Sequence, residues 1–302
     1  MLIARRFQAI FAIARGPFLL LTPAVLFPAA AVSFQLTGRL PLDLLLLIVV
    51  GALAAHVAVN ALNEYQDFKS GLDNITHRTP FSGGSGTLPD RPFLLGTALW
   101  LFIGAFLLMV LIGVYFSWRV GPGILSLGLL GGLIIVAYTR LINRMPMACL
   151  VSPGVGFGLL MVNGTVYVLT GDFFAAGQSV GWAVFFLVNA LLLLNQLPDI
   201  DADRAVGRRH FPVLLGVVAS VRIYRLLLLG AYGSVVIGVV LGLLPWPWPA
   251  LLALTTLPQG LLITRDLLGS GGDIPAMVPA LGKNVLLVLL TPVLLGVGIL
   301  LG

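Results

Sequence analysis

Uninterrupted apolar runs of membrane-crossing length decide what this chain can become. Residues 44–59 and 286–301 contain no Asp, Glu, Lys or Arg, and their hydrophobic residues follow one another instead of alternating. A bilayer requires every backbone polar group to be satisfied within the structure, which leaves helices or closed barrels. Barrel strands alternate apolar and polar positions, so continuous runs exclude a barrel and require helices. Charged residues make up 9% of the chain, against about 25% in soluble domains. The fold class is therefore all-α integral membrane, one domain over residues 1–302.

At ~20 apolar residues per span, the pattern predicts a bundle of nine transmembrane helices. They cover 16–36, 42–63, 93–116, 121–139, 147–170, 180–197, 213–243, 246–268 and 281–301. Turn chemistry falls at the breaks: Gly38 to Pro41, Gly121-Pro122-Gly123, Gly171-Asp172 and Pro245-Trp246-Pro247-Trp248-Pro249. The seventh run is over-long, which puts Arg222 and Arg225 in its first turns at the interface. Nine spans give one face the N-terminus and the loops after helices 2, 4, 6 and 8. That face holds 15 of the 17 Lys and Arg residues, with Arg5, Arg6 and Arg15 at its start; Arg39 and Arg119 lie opposite. The positive-inside rule then places the N-terminus in the cytoplasm and the C-terminus outside, in the cell inner membrane. A pI near 10.0 reflects this topology and does not call for nucleic acid. A single cysteine, Cys149, excludes an intrachain disulfide and a Cys-based metal site.

Two acidic clusters of one form interrupt the hydrocarbon: Asn63-x3-Asp67-x5-Asp73 and Asn195-x3-Asp199-x3-Asp203. Ionisable groups at the edge of a membrane span are expensive and mark functional sites. A spacing of four sets Asn63 over Asp67 on one helix face, and Asn195, Asp199 and Asp203 repeat it. Pro198 inside the second cluster breaks or kinks that helix. Such a break is tolerated where the freed groups line a polar cavity. Oxygen ligands of this type suit Mg²⁺ shared with substrate phosphates, and His and Cys are too few for zinc. Lys69, Arg78, Arg140, Arg144, Arg204 and Arg208 fall on the same face, with Arg15 opening helix 1; guanidinium groups match phosphate in a bidentate fork. The residues alone thus point to a membrane enzyme handling a lipid diphosphate with Mg²⁺. One Asn-x3-Asp per half also predicts a duplication, helices 1–4 and 5–8 as repeats with helix 9 appended.

These residues resemble the UbiA superfamily of intramembrane prenyltransferases. Asn63-Glu64-Tyr65-Gln66-Asp67 with Asp73 is similar to its first motif. Asp199-Ile200-Asp201-Ala202-Asp203, preceded by Asn195 and followed by Arg204, Gly207, Arg208 and Arg209, is similar to its second. The Asp67-to-Asp73 spacing, and Arg78-Thr-Pro-Phe-Ser-Gly-Gly-Ser-Gly86, resemble the menaquinone-type branch, the 1,4-dihydroxy-2-naphthoate polyprenyltransferases. One departure is Met145-Pro-Met-Ala-Cys-Leu150, where that branch carries an acidic turn. The resemblance implies Mg²⁺-dependent transfer of a polyprenyl group from a polyprenyl diphosphate to an aromatic acceptor at the cytoplasmic end of the bundle. It implies metal ligation by Asn63, Asp67, Asp199 and Asp203, and a positioning or base role for Asp73. Arg15, Asn63, Lys69, Arg78, Arg140, Arg144 and Asn195 become substrate contacts, and Tyr138 faces the cation. Two other functions keep the same features: a terpene cyclase of the superfamily, which quenches the cation internally, and an ion-coupled transporter.

Other residues have plainer readings. Asp201, two positions from both neighbours, faces away from the site, and Glu64 stands between structural and functional roles. His56 is expected in a hydrogen bond between helices, while His77 and His210 have no ligand spacing to a partner. Gly83-Gly84-Ser85-Gly86 could cradle phosphate through backbone N–H groups, or be an ordinary flexible loop. Trp246 and Trp248 read as an outer interfacial anchor, and the glycines of helices 4, 5 and 9 as close packing.

Overall fold

A computed structural model describes residues 2–244 and 248–302, with side chains from residue 7 onward. Pro245, Trp246 and Pro247 of the predicted turn and aromatic anchor lie outside the described residues, as do the side chains of Arg5 and Arg6. The chain is an all-helical membrane protein. Its principal helices are α1 (Leu2–Ile13), α2 (Leu21–Thr37), α3 (Leu42–Ser70), α4 (Leu95–Arg119) and α5 (Gly123–Ala137). They continue with α6 (Pro146–Thr170), α7 (Ala175–Asn195), α8 (Phe211–Val240), α9 (Leu257–Gly269) and α10 (Ile274–Leu301).

Seven of the predicted spans occur among the described residues as helices long and apolar enough to cross a membrane. The fourth is the shorter α5, and the eighth begins as a 3₁₀ helix, Trp248–Thr256, that runs into α9. Helix α1, ahead of the first span, was not expected. Helix α3 continues past its apolar stretch to Ser70, so the whole first motif is helical. Pro41 and Asp43 begin α3, and Gly71, at φ 80°, ends it by donating its N–H to Asp67 and Phe68 carbonyls. The break expected at Pro198 is present: α7 stops at Asn195 and a short helix, Ile200–Ala205, follows. Arg222 and Arg225 of α8 are exposed.

Helix α7 is the most buried span and α4 the most exposed, so α7 is the central post of the bundle. Its Val184, Leu187, Val188 and Leu194 pack into one large core with Val25 of α2, Tyr224 of α8 and Leu281 of α10. Helix α6 approaches α7 through Gly154 and Gly158, where a Cβ would strike the backbone of Phe185. Gly298 of α10 likewise abuts the Pro249 backbone. The packing expectation fails for Gly128 of α5, which has nothing near its Cβ position and lines a cavity instead. Between residues 155 and 162, just after Pro153, α6 is π-helical; such departures cluster at functional sites.

Candidate active site

The cavity has a volume of about 390 Å³ and lies among α3, α4, α5, α6 and α7. Its inner part is hydrocarbon, with Ile48, Ile112, Phe116, Ile124, Leu127 and Val168 on its walls. Its polar end carries both acidic clusters together with Arg15, Tyr138 and Arg208. The motifs, 132 residues apart at Asn63 and Asn195, therefore meet at one mouth.

Two bridges join them. The Arg208 guanidinium donates from Nη1 to Asp203 Oδ1 at 2.9 Å and from Nη2 to Asp67 Oδ1 in a very short contact. The second bridge is the loop after α3. Gly83 N–H donates to Asp199 Oδ2 at 3.1 Å, while the Cβ position of Gly84 lies 3.1 Å from Asp73 Oδ1. Positive φ at Gly83 and Gly84, 80° and 72°, lets this strip of backbone pass between carboxylates. Glu64 ties the loop to α3, accepting from Ser85 N–H at 2.8 Å and Ser85 Oγ at 2.7 Å. It also pairs with Arg15 Nε at 3.0 Å. Arg15, the only described non-glycine residue at positive φ (52°), donates its Nη2 to Asn63 Oδ1 at 3.0 Å. Strain of this kind persists where surrounding contacts fix it, and it concentrates at functional sites.

The four oxygens of Asp67 and Asp203 all have partners. Asp67 Oδ2 accepts from Asn63 Nδ2 at 2.9 Å, and Asp203 Oδ2 lies 2.6 Å from His210 Nε2. By contrast Asp73 Oδ2, Asn195 Oδ1 and Asp199 Oδ1 are buried with no partner among the described residues. Burial, then Glu64 and Asp67, push the Asp73 carboxyl up to about 7. Burial and Asp203 push the Asp199 carboxyl up to about 7. Burial opposes the charge on Arg208, yet Asp67 and Asp203 outweigh it and hold the guanidinium more firmly protonated than usual.

Of the predicted site residues, Arg15, Asn63, Asp67, Asp73, Tyr138, Asn195, Asp199 and Asp203 line this cavity. Lys69, Arg78, Arg140 and Arg144 do not: all four are exposed, outside the lining. Lys69 sits over the Tyr65 ring at 5.4 Å, and Arg78 Nη2 donates to the Asp73 carbonyl at 3.2 Å. Asp201 faces solvent and pairs with Arg204 at 2.9 Å. His56 bonds Thr22 across helices at 2.9 Å, as expected. The residues missing from the predicted site are Arg208 and His210. Arg208 stood in the tail of the second motif, but nothing in local spacing pairs it with Asp67. His210 is seven residues beyond Asp203, but the short helix ends at Ala205, so no helix face links the two in sequence.

Carboxylates outnumber guanidinium groups at this mouth, and Arg15 is already committed to Glu64. Idle oxygen acceptors beside surplus buried negative charge fit hard divalent cations such as Mg²⁺. No group of three His, Cys, Asp or Glu side chains converges as a metal cluster among the described residues. Arg208 stands between the two best placed acids, Asp67 and Asp203.

Both acidic motifs thus sit at the mouth of one hydrocarbon cavity inside a helical membrane bundle. The chain matches the UbiA prenyltransferase family over residues 24–269 and belongs to that family; it is a prenyltransferase. The 1,4-dihydroxy-2-naphthoate octaprenyltransferase of Escherichia coli (strain K12) is 30% identical over 264 residues, covering 85% of this chain and 83% of the relative. The digeranylgeranylglyceryl phosphate synthase of Haloquadratum walsbyi is 29% identical over 212 residues, 65% of each protein. Among solved structures, a UbiA homolog from Archaeoglobus fulgidus bound to DMAPP and Mg²⁺ has a TM-score of 0.58 at 14% identity. That match covers 96% of this chain and 98% of the homolog, and it shows a shared fold.

Proposed function

We propose that this prenyltransferase moves a polyprenyl group from a polyprenyl diphosphate onto an aromatic acceptor of the 1,4-dihydroxy-2-naphthoate type, with Mg²⁺, releasing pyrophosphate. The observation that carries the reading is the convergence of both acidic motifs on the mouth of one apolar cavity. The E. coli relative supports the acceptor, and the first motif with its following loop agrees.

In this reading Asn63, Asp67, Asp199 and Asp203, with Asn195 beside them, would hold the cations, which would supply positive charge to stabilise the departing pyrophosphate. Arg15 is fixed by Glu64 and Asn63 through Nε and Nη2, which leaves Nη1 for a phosphate oxygen. The hydrocarbon wall from Ile48 to Phe116 takes the prenyl tail and keeps water from the allylic cation. The Tyr138 ring offers a π-face to that cation. The unpartnered Oδ2 of Asp73 orients an acceptor hydroxyl and takes its proton, enriching the ring that attacks. Lys69, Arg78, Arg140 and Arg144, exposed near the mouth, steer the anionic head toward it.

The same proposal includes one domain of nine spans, the N-terminus cytoplasmic and the C-terminus outside. It also includes two four-helix repeats with α10 appended. The α3–α4 and α7–α8 pairs, which occupy equivalent places in the two halves, are the most extensive helix contacts in the molecule and support the duplication.

The decisive assay follows pyrophosphate from a polyprenyl diphosphate with Mg²⁺, using 1,4-dihydroxy-2-naphthoate or a glyceryl phosphate lipid as acceptor. The naphthoate is expected to be prenylated, and Asp67→Ala and Asp199→Ala to lower the rate at least about 100-fold. Unchanged release in both variants would refute the reading. A cyclic hydrocarbon formed from donor alone would identify a cyclase.

A further inference from the structure

Arg208 has no part in the chemistry just described, although it is the most committed cation at the mouth. Its side chain is 15% exposed, and its fork grips one carboxylate from each motif, on α3 and on the short helix Ile200–Ala205. Two carboxylates carried by separate elements repel each other, and at low dielectric the repulsion is large unless a cation stands between them. Here the cation is part of the chain. It also takes the oxygens of Asp67 and Asp203 that a divalent ion would need, while Asp73, Asn195 and Asp199 keep free acceptors.

Resting on the functional reading above, we propose that Arg208 is a built-in counter-cation, a positioning residue that divalent metal and diphosphate displace. In the metal-free enzyme it holds the motifs together, so that the site stays assembled and less ordering remains for the substrate to impose. When the substrate arrives the guanidinium leaves Asp67. His210, on the other oxygen of Asp203, keeps that carboxylate from following it. The freed guanidinium stays at the cavity wall, where its planar fork matches a phosphate oxygen pair. Because Arg208 competes for the oxygens of Asp67, a divalent ion alone binds weakly, and ion plus diphosphate bind together. This coupling keeps the acids from holding metal before the donor is present.

The test measures thermal unfolding of the detergent-solubilised full chain in EDTA, in Mg²⁺ alone, and in Mg²⁺ with inorganic pyrophosphate. The wild type is expected to shift little with Mg²⁺ alone and clearly with both. Arg208→Gln is expected to unfold several degrees lower in EDTA, to recover with Mg²⁺ alone, and to need about tenfold less Mg²⁺ for half its shift. Arg208→Lys, whose compact charge cannot fork across both carboxylates, is expected between the two and serves if the glutamine variant does not accumulate. A variant whose EDTA midpoint and Mg²⁺ titration match the wild type overturns the Arg208 inference while leaving the prenyltransferase reading intact. A wild type that ignores Mg²⁺ with pyrophosphate overturns the metal-dependent reading and this inference with it.

Discussion

Asp203 illustrates how neighbours decide what a motif residue can do. Its spacing from Asp199 makes it a ligand candidate, yet both its oxygens are held, by Arg208 and by His210. Glu64 resolves in the structural direction. Fully buried, it satisfies Arg15 and the Ser85 backbone and hydroxyl, so it fixes the site's frame. Glu64→Ala is expected to cost about 2–3 kcal/mol through lost charge-assisted hydrogen bonds, read as a lower unfolding midpoint in detergent. Glu64→Gln keeps an acceptor for Ser85 and should cost less. Equal midpoints for the two variants would contradict the assigned role. Spacing along the helix made Asn63 and Asp67 legible as a pair; Arg15 and Ser85, 49 and 21 residues from Glu64, could not be read that way.

Among the elements, the loop between α3 and α4 passes between carboxylates of both motifs. Gly71 and Gly84 both have positive φ, 80° and 72°, but only Gly84 faces carboxylates: Asp73 Oδ1 at 3.1 Å and Glu64 Oε1 at 3.3 Å from its Cβ position. Gly71→Ala should cost only the left-handed backbone penalty, about 1 kcal/mol, with activity kept. Gly84→Ala should add a steric push on Asp73 and lower prenyl transfer at least about tenfold. Purified variants assayed side by side decide this; equal activities would mean that the loop does not shape the site. Helix breaks were visible in sequence where turn residues marked them, as at Gly38, Gly171 and Pro198. The continuation of α3 to Ser70 was not visible, because hydropathy ends where the polar motif begins while helical hydrogen bonding does not.

For the whole molecule, charge at the mouth couples stability to pH. Asp73 and Asp199, each near 7 in the folded chain, lie above the unfolded carboxylate value, so the folded state binds more protons between about pH 4 and 7. Stability without metal must therefore fall as pH rises through that window, and a divalent cation should offset the loss. In EDTA the unfolding midpoint is expected to be lower at pH 8 than at pH 5.5. Mg²⁺ should raise it more at pH 8. A midpoint that rises with pH in EDTA would show that these carboxyls are not buried together. The topology is tested with thiol reagents that do not cross the membrane. Asn74→Cys, exposed in the loop after α3, should react only when the inner face is open, and Asp172→Cys only from outside. Labelling of both from one side would overturn the orientation.

The sequence by itself determined that this chain is a bundle of membrane helices, because hydrocarbon accepts no other use of runs such as 286–301. It also determined that two acidic clusters end apolar spans, since residues four apart share a helix face. The tertiary structure alone decided that the clusters meet, which oxygens stay free, and that Arg208 and His210 occupy both oxygens of Asp203. The physical reason is range. Periodicity reports neighbours within a turn or two, whereas the contact between Arg208 and Asp67 joins residues 141 apart and exists only once the halves have packed.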